Sequence, residues 1–242
     1  EFRKAFIPAD GSEFLVADYN QIELRVIAHL AEDPGLIQAF ESGEDIHNAT
    51  AASVFDVDPG AVTFEQRSRA KMVSYGLAYG MEAYGLGQRL GVETSEASEI
   101  LEAYFVAFPA VRSFMDEIVK RTKEIGYTET IFGRRRPMPD LVASNFRVRQ
   151  AAERQAMNAP IQGLAADIFK IALVAIDRSL TEMEAQSRLV LQVHDEVILE
   201  VYPDEYDDVK EMTIGCMSGA ADLLVPLEVN LATGPTWAEA KA

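Results

Sequence analysis

The stretch Glu13-Phe14-Leu15-Val16-Ala17-Asp18-Tyr19 decides the reading of this chain: a short apolar run that ends on a carboxylate describes a buried strand with a polar tip. From Ile22 the pattern turns helical, with Ile22, Leu24 to Ile27 and Leu30 on an apolar face and Pro34-Gly35 as the expected stop. Far along the chain, Arg188 to Val193 and Val197 to Val201 read as a hairpin whose acidic tip is His194-Asp195-Glu196. A helix from Asp204 to about Leu224 and a strand from Leu227 to Leu231 follow.

The residues between these ends read as helical. Thr63 and Gln66 form a capping box for a helix from Phe64 to about Leu77. Helices are expected from Ser95 to Ala107 and from Ala110 to Ile125, the second closed by Gly126. Tyr127 to Ile131 and the run from Arg134 suggest a small hairpin around Phe132-Gly133. A helix from Asn145 to Asn158 should be interrupted at Pro160, with another from Leu164 to about Met183. Strands at both ends around a helical block predict an α+β fold, the helical part being a lobe inserted into one platform. No repeat, low-complexity tract or flexible linker is visible.

With 242 residues, 48% hydrophobic and 25% charged, the composition excludes intrinsic disorder and a disulfide scaffold. Cys216 is the lone cysteine, and no N-terminal stretch has the basic start and apolar middle of a signal peptide, which points to a reducing cytoplasm. The run from Ile168 to Ile176, broken by Lys170, falls short of the about 20 apolar residues of a membrane helix, so no membrane is expected. A net charge of −17 repels a polyanion at long range. Locally the sign reverses, because Arg112 to Arg154 carries ten basic residues against six acidic ones. That stretch suits either a phosphate-holding surface or a solvated face with arginines paired to glutamates.

Asp18 at a strand end and Asp195 at a hairpin tip are the carboxylates hardest to explain by packing. If they meet they repel unless cations neutralise them, and hard oxygen ligands suit Mg²⁺. The plainer alternatives are a helix cap for Asp18 and a turn residue for Asp195. On the predicted Phe64 helix, Arg67, Lys71, Tyr75 and Tyr79 recur every fourth residue along one face. Arg67 and Lys71 sit about 6 Å apart along the axis, roughly the reach of a triphosphate. Such a stripe holds phosphates and a base or sugar, or it is a surface helix with snorkelling cations over a tyrosine contact. His47 is a third candidate donor.

Asp18-Tyr19-Asn20-Gln21-Ile22-Glu23-Leu24-Arg25, then Arg67-x3-Lys71-x3-Tyr75-Gly76-x2-Tyr79-Gly80, then Val193-His194-Asp195-Glu196 resemble, in order and spacing, the three motifs of family A DNA polymerases. The bacterial polymerase I type is the nearest in pattern. Gly43-x-Asp45-Ile46-His47, Phe132-Gly133-Arg134-Arg135-Arg136, Asn158-x-Pro160-x-Gln162-Gly163 and Pro226-Leu227-Glu228-Val229 extend the resemblance over nearly the whole chain.

The resemblance implies a polymerase palm, mostly antiparallel sheet with helices, at 1–44 and 145–242, and inserted helical fingers at 45–144. It also implies a thumb, the first part of the palm and one or two nuclease domains upstream, absent from these residues, so the missing N-terminal part is an expected partner. Two Mg²⁺ ions, with Mn²⁺ able to substitute, are expected on Asp18, Asp195 and the main-chain carbonyl of Tyr19, with Glu196 as a secondary acid. Arg67, Lys71 and His47 would grip phosphates of a deoxynucleoside triphosphate, Lys71 also serving as general acid toward pyrophosphate. Glu23 matches a steric gate against a 2′-hydroxyl, with Gln21 and Ile22 beside it in the nucleotide site. Tyr75 would stack near the sugar and Tyr79 near the templating base. Arg154, Asn158, Gln162 and His194 match contacts to primer–template DNA, and Arg134 to Arg136 serve as lobe anchor or phosphate contact. The implied setting is bacterial cytoplasm at the nucleoid, and the implied task is DNA replication and repair. Two departures stand out: Asn20 where the family usually has Ser, and Leu164 where it usually has Thr. A two-metal nuclease and a catalytically silent binding remnant are the rival readings.

Overall fold

The computed structural model describes residues 2–241. Strand β1 (Glu13–Tyr19) forms where the apolar run predicts it. It is central to a four-stranded antiparallel sheet of order β4–β5–β1–β6, with β4 (Arg188–Val193), β5 (Glu196–Val201) and β6 (Val229–Gly234). Phe14 and Val16 pack on one face with Ile198, Trp237 and Ala240. On the other face Tyr19 edges onto Phe169, and its hydroxyl donates to the Met217 carbonyl at 2.7 Å. A central strand covered on both sides explains why Leu15, Val16 and Ala17 are wholly buried and read as continuous apolar sequence.

Two compact units make up the chain, one of Glu1–Ile22 with Ala166–Ala242, the other of Glu23–Ala165. The first holds the sheet, α9 (Tyr206–Ser218) and the end of a long helix. The second is a continuous insertion. It carries most of α1 (Ile22–Ala31), then α2 (Pro34–Glu41), α3 (Ile46–Phe55), α4 (Phe64–Ala78), α5 (Ala83–Leu90), α6 (Thr94–Ala107) and α7 (Pro109–Ile125). Hairpin β2–β3 (Tyr127–Glu129, Arg135–Pro137) and the start of α8 (Phe146–Glu182) complete it.

Several elements differ from the sequence expectation for identifiable reasons. Pro34-Gly35 opens α2 instead of merely ending α1, because proline is favoured at a first helical position and Asp33 caps it. The Asp33 carboxylate accepts from Gly35 and Leu36 at 3.0 and 3.2 Å and from the Ala110 amide at 3.1 Å, so one buried side chain ties α2 to α7. The two helices expected around Pro160 are one helix of 37 residues with Pro160 inside. Burial of Ala156, Ile161, Leu164 and Ile168 supports the chain across the missing amide bond. That continuity gives α8 an 18-residue window long and apolar enough to cross a membrane by length and composition, half of it buried within the protein. Counting unbroken apolar residues missed this window. Helix α9 is shorter at both ends than its apolar pattern suggested, and β6 starts later. Of the three hairpin arginines, Arg135 pairs with Glu129 at 2.9 Å and stacks on Tyr127, while Arg136 donates to Gln155 of α8 at 3.3 Å.

Gly163 lies in α8 where a Cβ would come within 2.8 Å of the Thr130 methyl beside the hairpin. Better helix propensity of alanine returns at most about 1 kcal/mol, whereas overpacking costs about 1–3 kcal/mol. Gly163→Ala is therefore expected to lower Tm by about 3–6 °C in a thermal unfolding scan. An unchanged or higher Tm would mean the hairpin yields freely.

Candidate active site

The β1–β5 register places Asp18 directly opposite Glu196, with Asp195 next to it in the chain. The tip is tighter than the sequence suggested: Glu196 belongs to β5 and pairs with Val193, leaving a two-residue turn of His194 and Asp195. His194 takes a φ of 57° and Gln21, just past β1, a φ of 58°, both in the left-handed region that non-glycine residues seldom occupy. Backbone strain thus sits at both strand ends that bear the aspartates. Asn20 is held by its amide to the Glu228 carbonyl at 2.9 Å and by its side chain to the Glu228 carboxylate at 3.3 Å. The departure from serine therefore adds a tie to the segment leading into β6.

Burial first, then Asp195 and Glu196, push the Asp18 carboxyl up to about 6, and Lys241 and Arg3 only partly oppose this. Its Oδ1 is buried without a hydrogen-bond partner. Glu196, 7% exposed, is held by Arg3 at 3.1 and 3.4 Å, and the Arg3 guanidinium lies 4.5 Å over the Trp237 ring. Among the described residues no cluster of three or more His, Cys, Asp or Glu side chains is arranged for a metal. A pair of carboxylates still suits Mg²⁺, which takes one or two of them and fills its shell with water and substrate phosphate. The orphaned Asp18 oxygen and the mutual repulsion fit a cation.

The inserted unit presents His47, Arg67, Lys71, Tyr75 and Tyr79. Thr63 caps α4 in a reciprocal box with Gln66, which sets the helix start and hence the phase of the Arg67, Lys71, Tyr75 stripe. Lys71 is exposed, and Tyr79, at the C-terminal cap of the helix, is 48% exposed. His47 is buried on α3 with its ring 5.7 Å from that of Tyr75. Burial, then Lys71, lowers its pKa to about 4, so the imidazole is neutral at pH 7 and its Nδ1 has no partner. Arg67 is forked onto Asp45, its Nε at 3.1 Å and Nη2 at 2.5 Å from Oδ2.

Arg154, Asn158 and Gln162 share a face of α8. Arg154 donates to Glu82 at 3.3 Å, and Gln150 joins the same carboxylate at 3.1 Å. Gly80, with φ +65°, lets the chain leave α4 so close to α8 that a Cβ would stand 3.0 Å from Asn158 Oδ1. That oxygen is buried without a hydrogen bond. Glu23 is half-buried near the start of α1, Ile22 is buried and His194 is exposed.

The structure places Asp18 opposite Glu196, which follows Asp195 in the chain; the sequence patterns did not mark Arg3, Asp45 and Glu82 as the partners that hold Glu196, Arg67 and Arg154. Asp45 lies in Gly43-x-Asp45-Ile46-His47, one residue before α3, the position of a helix cap. Nothing local marks Arg3 or Glu82, whose partners are 193 and 72 residues away.

A sheet with a carboxylate pair at its strand ends and a helical unit inserted after its first strand defines the mixed fold of a polymerase domain. Residues 1–239 match the model of DNA polymerase family A, and the chain belongs to that family. It is 50% identical over 236 residues to DNA polymerase I of Mycobacterium bovis, covering 97% of this chain and 26% of that protein. Over its full length it is 47% identical to DNA polymerase I of Geobacillus stearothermophilus, of which it spans 28%. The chain thus spans about a quarter of these relatives. A solved POL domain of Pol1 from M. smegmatis, in complex with DNA primer-template and dNTP, matches with a TM-score of 0.94 and 46% identity, over 98% of this chain and 42% of that one.

Proposed function

We propose that this chain carries the nucleotidyl-transfer site of a DNA-directed DNA polymerase. The observation that carries the reading is the buried, unpartnered Oδ1 of Asp18, in a strand position opposite Glu196 and close to Asp195, in a chain 46% identical to a domain solved with primer-template and dNTP. In the reaction the primer 3′-oxygen bonds the α-phosphorus, the α–β anhydride bond breaks, the hydroxyl proton leaves and pyrophosphate departs. Asp18, Asp195 and the Tyr19 carbonyl would hold two Mg²⁺ ions. The chemistry supplied by bound Mg²⁺, for which Mn²⁺ can substitute, is a more acidic 3′-hydroxyl and neutralisation of the leaving pyrophosphate.

Arg67 and Lys71 hold the β- and γ-phosphates in this reading, and Lys71 donates a proton to pyrophosphate. His47 contributes as a neutral donor, since its buried ring stays uncharged. Glu23 excludes a 2′-hydroxyl by occupying its space, a selection by clash, with Gln21 and Ile22 beside it. Tyr75 stacks on the sugar, and Tyr79 waits near the templating base. Arg154, Asn158, Gln162 and His194 contact primer–template DNA. The palm comprises 1–44 and 145–242 and the fingers 45–144, with the remaining polymerase parts supplied by upstream sequence of the kind its longer relatives carry. The setting is the bacterial cytoplasm, at the nucleoid, in replication and repair.

The test is extension of a labelled hairpin primer–template with Mg²⁺ and four deoxynucleotides, using the chain alone and joined to the N-terminal portion of a related polymerase. Template-dependent extension in either format supports the reading. Shortening of the DNA without nucleotides would favour a nuclease, and silence in both formats with retained DNA binding would overturn catalysis.

A further inference from the structure

We propose that Asp45 is an internal competitor for the phosphate-binding Arg67: its carboxylate occupies the guanidinium until a polyphosphate displaces it. The inference rests on the assignment of Arg67 to the triphosphate and names what regulates that site. Both carboxylate oxygens are committed. Oδ1 accepts from the His47 and Asn48 amides at 2.9 and 3.0 Å as the cap of α3, and Oδ2 takes the fork of Arg67.

The cap anchors this anion, so it cannot follow Arg67 away. The pair is nonetheless open to solvent, with the two side chains 37% and 44% exposed, and an incoming anion can reach the guanidinium. Displacing the carboxylate costs every anion the same. A ligand with one phosphate exchanges one anion for another at Arg67 and gains little. A polyphosphate also reaches Lys71, one helical turn or about 6 Å further on, and so overcomes the competitor. Asp45 thereby raises the threshold for occupancy until only polyphosphates pass it.

Asp45→Asn separates the two duties of the side chain, because asparagine caps a helix about as well as aspartate but lacks the charge. Calorimetric titration of the 242-residue chain with inorganic pyrophosphate is expected to show about twofold to fivefold tighter binding to Asp45→Asn than to wild type. The difference should shrink toward zero near 1 M salt, where charges are screened within about 3 Å. Tm should hold for Asp45→Asn and fall for Asp45→Ala, which loses the cap. Pyrophosphate binding that depends on Arg67, shown by weakening in Arg67→Ala, yet is no tighter in Asp45→Asn, overturns the competitor and leaves the role of Arg67 intact. Binding indifferent to Arg67→Ala overturns the assignment of Arg67 itself, and the competitor with it.

Discussion

Asp18→Asn is expected to cut template-directed extension by about 10³-fold or more, the scale of losing several kcal/mol of charge stabilisation at the reacting phosphate. The same change should stabilise the metal-free fold. Asp18 stands in β1 against Glu196 and beside Asp195, with one oxygen buried and unpartnered. Burial and these two neighbours raise its pKa from 3.8 to about 6. The folded chain therefore holds this proton more tightly than the unfolded chain. Its contribution to stability is fully present below about pH 4 and is lost as pH rises through about 6. Because the carboxyl is half open to water, screening trims the loss to about 1 kcal/mol. Asparagine cannot ionise, so the Tm of the variant minus that of wild type should grow between pH 4 and 6 and stay positive above it. If Asp18 and Asp195 hold the ion as proposed, Mg²⁺ should raise the Tm of wild type at pH 8 more than that of the variant, which keeps only one of the two carboxylates. Extension within tenfold of wild type would remove Asp18 from the metal site, and a flat Tm difference across this range would remove the repulsion.

Lys71→Ala is expected to lower kcat by about 10²–10³-fold while leaving Tm nearly unchanged. The side chain is exposed on α4, so its loss opens no cavity and breaks no buried network. Its position is one turn beyond Arg67 on a helix whose start is set by the Thr63–Gln66 box, which fixes the spacing of the two cations proposed to hold phosphates. Lys71→Arg separates charge from proton donation, because guanidinium stays charged and does not give up a proton. Single-turnover rates should show Lys71→Arg keeping most of the nucleotide affinity and recovering little of the rate. Recovery to within threefold of wild type would confine Lys71 to charge neutralisation, and a Lys71→Ala rate close to wild type would take it out of the reaction.

The motif residues were legible because each carries a local signature. Asp18 ends an unbroken apolar run, and such a run is what a strand covered on both faces demands. Arg67, Lys71 and Tyr75 repeat at helical spacing after a capping box, and Gly126 closes α7 in the left-handed conformation expected of it. The outer ends of α8 fall within a residue of where the sequence places them, but its continuity through Pro160 and the role of Pro34 were not legible in the same way. Proline signals a break by its own geometry, but whether a helix continues past it depends on what packs around it.

The sequence by itself determined the mixture of antiparallel sheet and helices, the strand that carries Asp18, the hairpin that carries Asp195 and the helix that carries the cation stripe, but not α2, α3 or α5. These follow from periodicity and capping, which act over a few residues. The tertiary structure alone decided that Asp18 faces Glu196 across one register, that Arg3 holds that glutamate, that Asp45 occupies Arg67 and that His47 is buried and neutral. Those facts depend on strand pairing, burial and contacts between segments distant in the chain, and neither desolvation nor a fixed ion pair has any expression in local spacing.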